Sequence, residues 1–508
     1  MPFQNCSAVS FETKPILCPR IHTMFRVSVS IVCLLLPAVA VADEIDRYPI
    51  KPTEQQYQQA VQQMDAIGFR PSREDRTQFV SKPEVSDTQL AKIPNLQFSF
   101  GLTLAAAPVT NAGVKSLSGL DNLTTLNLHY TRFTGEHACG FENMRSLLEL
   151  RLLGSPVTDQ GLLEVAKLKN LRTLDLQKTK VNGPGLAQLS ALSRLSTLEL
   201  DLSDAMFPPL QKSGLLHTLP YALANGDTDS QTDDEIETLN LNGFYGIQIS
   251  DVSLPVFASL PNLETLTLIG SNITDDGLAG LSQYPELRTL NLEETKVTDA
   301  GLDRLATIEK LAELVLDQTA VTDAGLESLV AIKTLKVLSL NRTAVSDTGI
   351  RTLTQLSGLT ELRISSTSVT LIDVPELAQM KNLLTLVVDG SKVNDAGLKY
   401  VSQVRSLKWL DLILCDVTDS GLKEISRLSN LETLYLNRTQ ITDDGLNELA
   451  RMNRLTTLNL NSTSVSDRGL KHLAMIKSLR QLMLLGTLVT SQGVAELQAE
   501  TPNCEILH

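Results

Sequence analysis

LETLYLNRTQITDDGLNELARMNR (residues 431–454) is followed directly by LTTLNLNSTSVSDRGLKHLAMIKS (residues 455–478). The two segments align without a gap at a spacing of 24, on L-x-x-L-x-L-x-x-T, an apolar residue two places on, then T/S-D-x-G-L-x-x-L. Working outward, the same frame reopens at Leu479 and, toward the N-terminus, at Leu407, Leu383, Leu359, Leu335, Leu311, Leu287 and Leu263. An earlier run with the same step starts at Ser99, Leu123, Leu147, Leu171 and Leu195, and Ile236 opens a longer copy whose extra residues fall in 243–248. That gives sixteen copies. A worn one, marked by Val85, Ser86, Asp87 and Leu90, precedes them, and residues 503–507 begin a truncated last turn.

Each copy mixes two periods. Leu434-Tyr435-Leu436 alternates with period two, which is a short strand with its leucines on one face. Thr442 to Leu449 carries Leu446 and Leu449 at helical spacing behind Thr442 and Asp443, both suited to a helix start. One apolar strand face and one apolar helix stripe cannot be buried within a single copy, whereas stacking copies buries both. The predicted fold is therefore α/β: a curved right-handed coil with a parallel β-sheet on its concave face and short helices on its convex face. The ninth position is almost always a small hydroxyl or thiol, as in Thr295, Thr319, Thr343, Cys415, Thr439 and Thr463. Pointing inward, such a group is expected to satisfy buried backbone groups from one turn to the next, which makes Cys415 a structural thiol.

On these residues the sequence resembles a leucine-rich-repeat protein of the bacterial 24-residue V-T-D-x-G-L type. It is also similar to the repeat region of F-box/LRR substrate receptors. The resemblance spans residues 99–508 and implies a solenoid that recognises partners on its concave face. No F-box precedes the repeats, so a ubiquitin-ligase role is not implied.

Departures from the frame divide the chain. Residues 43–98 hold a segment, 53–67, that reads as an amphipathic helix closing the open end of the stack. Residues 99–200 are an N-terminal repeat block and 236–508 a C-terminal one. Between them 201–235 reads as an insertion loop, with Phe207-Pro208-Pro209 in place of the usual helix and Asn225-Gly226-Asp227 beyond. Leu371-Ile372-Asp373-Val374-Pro375 overwrites the D-x-G-L of its copy, so an irregular turn is expected there.

Ahead of the repeats, Arg26 introduces an apolar run over 27–42 that closes on Ala40-Val41-Ala42, a small-x-small cleavage pattern. Residues 1–42 read as a signal peptide, with Met24 as an alternative start. The expectation is export to the periplasm, the cell surface or the medium, and membrane contact only if this run stays uncleaved. Cleavage leaves three of the six cysteines, Cys139, Cys415 and Cys504. Strands about 4.8 Å apart put Cys139 on the order of 50 Å from Cys415, beyond the roughly 7 Å a disulfide tolerates, and Cys504 is too far as well.

The chain has 508 residues, 20% of them charged, and a net charge of −14. An acidic surface without a Lys/Arg cluster argues against nucleic acid as a partner. No phosphate-binding glycine loop, metalloprotease helix, nucleophile elbow or C-x-x-C pair occurs, so an enzyme is not expected and no cofactor is implied. His129, His137 and Cys139 are close in sequence, but repeat register puts His129 on the strand face and the other two on the opposite side. The recurring aspartates, Asp275, Asp299, Asp323, Asp347, Asp419, Asp443 and Asp467, read as first-turn carboxylates facing helix dipoles, with weak cation binding as the alternative.

A binding site is best sought at positions three, five and seven, which face out of the sheet. Most are small or polar, such as Thr265, Thr289, Asn291 and Asp317. One stretch differs: Val387 and Asp389, then Trp409, Asp411 and Ile413, then Tyr435 and Asn437. The only Trp of the chain beside a Tyr and carboxylates has the composition of an interaction hot spot. The other reading has Trp409 merely packing across its strand neighbours. The expected function is a non-catalytic exported protein binding a protein or peptide on its concave face. The alternative is a carbohydrate- or cell-wall-binding surface protein with a polysaccharide partner.

Overall fold

The L-x-L alternation does form strands, each three residues long in most copies, such as Trp409–Asp411, Thr433–Tyr435 and Thr457–Asn459. The structure, a computed structural model, describes residues 50–137, 139–224, 231–243 and 247–508. The expected signal segment, Asn225-Gly226-Asp227 and residues 244–246 of the longer copy lie outside the described residues. All described residues fall within one unit, Tyr48–His508.

Strands of consecutive copies pair in parallel and in register, Leu410 with Leu434 and Leu434 with Leu458. A slip of one residue would turn every leucine outward, and the buried face forbids it. Among the described residues there are two sheets, of seven and thirteen strands, each following chain order without a crossover. Behind them lie short helices such as Asp395–Val401, Asp419–Ile425, Asp443–Leu449 and Asp467–Leu473. The strand and helix leucines bury together in one continuous core that runs from Ala60 to Cys504.

The T-D-x-G signature is explained by side-chain bridges between turns. Thr418 is the N-cap of its helix, its hydroxyl accepting the Ser420 N–H. Its own N–H donates to Asp395 Oδ1 of the preceding copy at 2.9 Å, and its hydroxyl donates to Asp395 Oδ2 at 2.6 Å. Asp419 holds Thr442 in the same way at 2.9 and 2.6 Å, and Asp443 holds Ser466 at 2.7 and 2.6 Å. Asp87 of the worn copy does this for Thr110. The repeating aspartates thus spend both carboxylate oxygens on the next turn, which supports their structural reading. The glycine two residues after each aspartate leaves room for the carboxylate of the turn before. A Cβ on Gly469 would lie 2.5 Å from Asp443 Oδ1.

One reading of the turn needs correction, and one feature of it is new. Ninth-position hydroxyls mostly bond within their own turn: Thr295 donates to the Leu292 carbonyl, Thr319 to Leu316 and Thr463 to Leu460, at 2.6–2.7 Å. That carbonyl, three residues back, also accepts the N–H of the same residue, as in Thr295 to Leu292 at 3.2 Å, so the hydroxyl doubles a contact that closes the turn. Ser155 and Cys415 do reach the preceding turn, at Leu128 and Val388. Position eight, which the repeat pattern leaves unmarked, is left-handed: Glu294, Gln318, Arg342, Leu414 and Arg438 have φ of +55° to +59°. That conformation is sparsely populated by non-glycine residues. It persists because the position-eight N–H extends the ladder past the strand, as from Leu414 to the Asn437 carbonyl at 3.1 Å.

The segment 201–235 is more than a loop. Phe207–Ser213 is an α-helix with its prolines in the first turn, where a missing N–H has no helical partner to lose. Phe207 packs edge-on to Phe257 at 4.8 Å, and Asp204 bridges to Ser250, so the helix side of the stack runs through the insertion. Only the sheet divides, where Ala222–Leu223 pairs antiparallel with Thr238–Asn240. At the N-terminal end, the expected helix is Glu54–Asp65, burying Tyr57, Ala60 and Met64. It is joined by an unexpected hairpin, Phe69–Pro71 with Gln78–Ser81. The overwritten turn after Thr370 is irregular as expected, with Leu371 and Asp373 at positive φ and a 3-10 helix at Pro375–Gln379. At the C-terminal end Glu505–Leu507 adds the last strand.

Gly421→Ala should lower stability by about 1–3 kcal/mol through overpacking against Asp395. Asp395→Ala should also destabilise, by about 1–3 kcal/mol, because it strands the Thr418 donors. Urea unfolding of the double variant should show a loss smaller than the sum; strict additivity would contradict the bridge.

Candidate functional site

Repeat register carries Val387, Trp409, Asp411 and Tyr435 onto adjacent strands, with Asp389, Ile413 and Asn437 two residues past the strand ends. Val387 faces Asp411 and Asp411 faces Tyr435, while Trp409 lies between Thr385 and Thr433. Trp409 is 38% exposed, and its ring meets that of Tyr435 at 5.2 Å and 63°, edge to face. Trp409 thus packs on a strand neighbour and still presents part of its ring to solvent.

Positions three, five and seven are less open than their register suggests. Asp411 is only 8% exposed, and Thr433, Ser339 and Asn459 are buried too. Strands about 4.8 Å apart let long neighbours close over short ones, and Asp411 sits between larger side chains. Burial pushes its carboxyl up to about 6; the Ile413 N–H, donating at 3.0 Å, pulls it down, and the charge of Asp389 adds to the rise. Burial also raises the Tyr435 hydroxyl, with a further contribution from Asp411.

Position seven forms a polar row along the sheet. Asn341 accepts the Ser365 N–H at 2.7 Å and donates to Asp317 at 2.8 Å, and the Ser365 hydroxyl donates to Asp389. Ile413 interrupts this row, having no polar side chain. Beyond it Asn437 Oδ1 is buried with no hydrogen-bond partner among the described residues. The row resumes at Asn461, which accepts the Leu485 N–H at 2.7 Å. Sequence reasoning left out Ser365 and the ion pair of Glu361 with Arg363, although continuing positions three, five and seven one copy further would have reached all three.

Elsewhere, His129 lies 3.4 Å from Asp175, and burial lowers its pKa. The Cys139 thiol is turned toward the His137 carbonyl at 3.1 Å. Cys139, Cys415 and Cys504 are all buried and unpaired with one another. Burial pushes the first two thiols up to about 11, far from thiolate reactivity. Among the described residues no helix is long and apolar enough to cross a membrane.

Residues 427–450 and 122–144 each match a leucine-rich-repeat family. No curated protein matches the sequence. Among solved structures, the chain is similar to an internalin from Listeria monocytogenes, at 18% identity and TM-score 0.33 over 87% of this chain and 98% of that one. It is similar to a leucine-rich-repeat protein from Leptospira interrogans, at 18% identity and TM-score 0.34 over 83% and 92%. It also resembles TLR13 in a complex with ssRNA13, at 15% identity and TM-score 0.49 over 86% and 67%. At these identities and scores none of the three carries a ligand across to this chain.

A carboxyl whose folded pKa is raised stabilises the fold while protonated. That contribution is complete below about pH 4, the unfolded value, and is lost as pH climbs to about 6. Asp411→Asn keeps an acceptor for Ile413 and removes the buried charge. It should stabilise the chain by ~1–3 kcal/mol in thermal melts at about pH 8, with the gain fading toward about pH 4. A variant that melts below the parent at the higher pH would overturn the assignment.

Proposed function

We propose that this chain, a leucine-rich-repeat protein, is a non-catalytic exported binding module that takes a protein or peptide on its open sheet face. The observation that carries this reading is the Trp409–Tyr435 pair. An aromatic ring left partly in solvent on a face of mostly small and polar side chains is the composition of an interaction anchor. Supporting it, the helix face spends its recurrent carboxylates on inter-turn bridges, whereas the sheet face beside Ile413 leaves the Asn437 amide oxygen unanswered. The apolar run at residues 27–42 supports export. The acidic balance favours partners other than nucleic acid.

A polysaccharide is the second reading, favoured by the same aromatic pair beside Asp and Asn groups. Edge-to-face packing takes up part of the ring surface on which a sugar would stack, which makes it the weaker of the two.

The test is partner recovery from the exported fraction by immobilised chain. Trp409→Ala with Tyr435→Ala should reduce recovery by about tenfold or more, as loss of a hot spot worth roughly 2 kcal/mol requires. Ser420→Ala with Lys423→Ala, exposed on a helix, should leave it unchanged, and both variants should keep a cooperative melt. Undiminished recovery by the aromatic variant rules the patch out, and binding to a glycan array with no protein recovered would put the second reading first.

A further inference from the structure

The patch around Ile413 is one-sided in its hydrogen-bonding chemistry. Asp389 receives the Ser365 hydroxyl on Oδ1, and Asp411 receives the Ile413 N–H on Oδ1. Among the described residues neither carboxylate has an ion pair. Arg363 is engaged with Glu361, and Lys408 with Glu432 at 2.9 Å. Asn437 adds a buried amide oxygen with no donor. So two carboxylates and an amide oxygen offer acceptor capacity along one stretch of sheet, and the residue that would continue the polar row, Ile413, offers none. Buried acceptors without donors are unfavourable, and two neighbouring carboxylates repel. Both penalties are relieved by one kind of group: a cation carrying several N–H donors. Over this stretch stand the rings of Trp409 and Tyr435, whose faces attract such a cation.

Resting on the sheet-face reading above, we infer that the patch of Asp389, Trp409, Asp411, Tyr435 and Asn437 receives the guanidinium of an arginine carried by a protein or peptide partner. Arginine fits better than lysine. Its planar fork spreads five donors over separated acceptors and stacks on aromatic rings, whereas an ammonium is a compact and strongly hydrated point charge. A chain of net charge −14 also draws a basic segment toward this face before contact is made.

Trp409 is the only tryptophan of the chain, so its emission reports the patch directly. The full chain would be titrated with acetyl-Gly-Gly-Arg-Gly-Gly-amide, and with the same peptide carrying lysine or citrulline, which keeps the shape but not the charge. The arginine peptide should shift the emission saturably. The lysine peptide should bind several-fold more weakly and the citrulline peptide about tenfold or more. Asp389→Asn with Asp411→Asn should weaken the arginine peptide about tenfold while the melting transition is retained. The inference is overturned by no saturable response, by equal binding of the citrulline or lysine peptide, or by an undiminished response in the Asn variant. If any of these occurs while the aromatic variant still loses partner recovery, the arginine assignment alone falls and the sheet-face reading stands.

Discussion

One aspartate carboxylate, shared between consecutive turns, is the contact on which the rest of the solenoid depends. Asp395, Asp419 and Asp443 each take the N–H and the hydroxyl of the next turn's cap. The N-terminus of a short helix is where backbone donors are hardest to satisfy and where negative charge is favoured. Placing the carboxylate there holds each helix against its neighbour at fixed offset. The strands on the other side are thereby held in register, with Leu410, Leu434 and Leu458 stacked in one row. Where the bridge is missing, the turn changes character. Leu371 stands in the aspartate's place, and the following cap, Asn394, serves only its own helix. Asp159, followed by a copy with Asn182-Gly183 in place of Thr-Asp, has a buried oxygen with no partner.

Every turn has its backbone ladder and most have a helix-side bridge, whereas side-chain bonds across the sheet face join only some turns, such as Asn341 to Asp317 and Ser365 to Asp389, so the side chains there can vary. Most copies spend the freedom on threonine and asparagine. Around Ile413 the variation concentrates apolar rings over acids, and the polar row of position seven breaks. A regular scaffold with one irregular patch is a physical arrangement suited to recognition. The scaffold fixes the geometry without help from the patch, so the patch residues need not contribute to folding. Asp411, held with its carboxyl up at about 6, is a group whose environment opposes its charge.

The spacing of 24 was enough to place strands, helices, register and the buried leucines, because each follows from which residues a stacked copy can bury. The same register places the seven candidate residues on or just past three adjacent strands. What the spacing could not convey depends on contacts outside a single copy's pattern. Position eight carries residues as different as Glu294, Leu414 and Arg438, so its left-handed backbone leaves no mark in residue type. Asp411 is buried by the bulk of its neighbours, a property of three copies together. Phe207–Ser213 looked like a helix breaker because prolines were read as interrupting a helix when they begin one. The hairpin at Phe69–Pro71 belongs to no repeat, so its short strands have no neighbouring copies to make their pattern stand out.

Amide hydrogen exchange at Thr418, Thr442 and Ser466 tests the inter-turn bridge most directly. If each N–H is held by the aspartate of the preceding turn, these cap amides should be protected to a degree comparable with the amide of Leu436, just past its strand, which bonds to the Asn459 carbonyl at 2.9 Å. Exchange at the rate of freely solvated amides, with Leu436 still protected, would contradict the bridge and the stacking built on it.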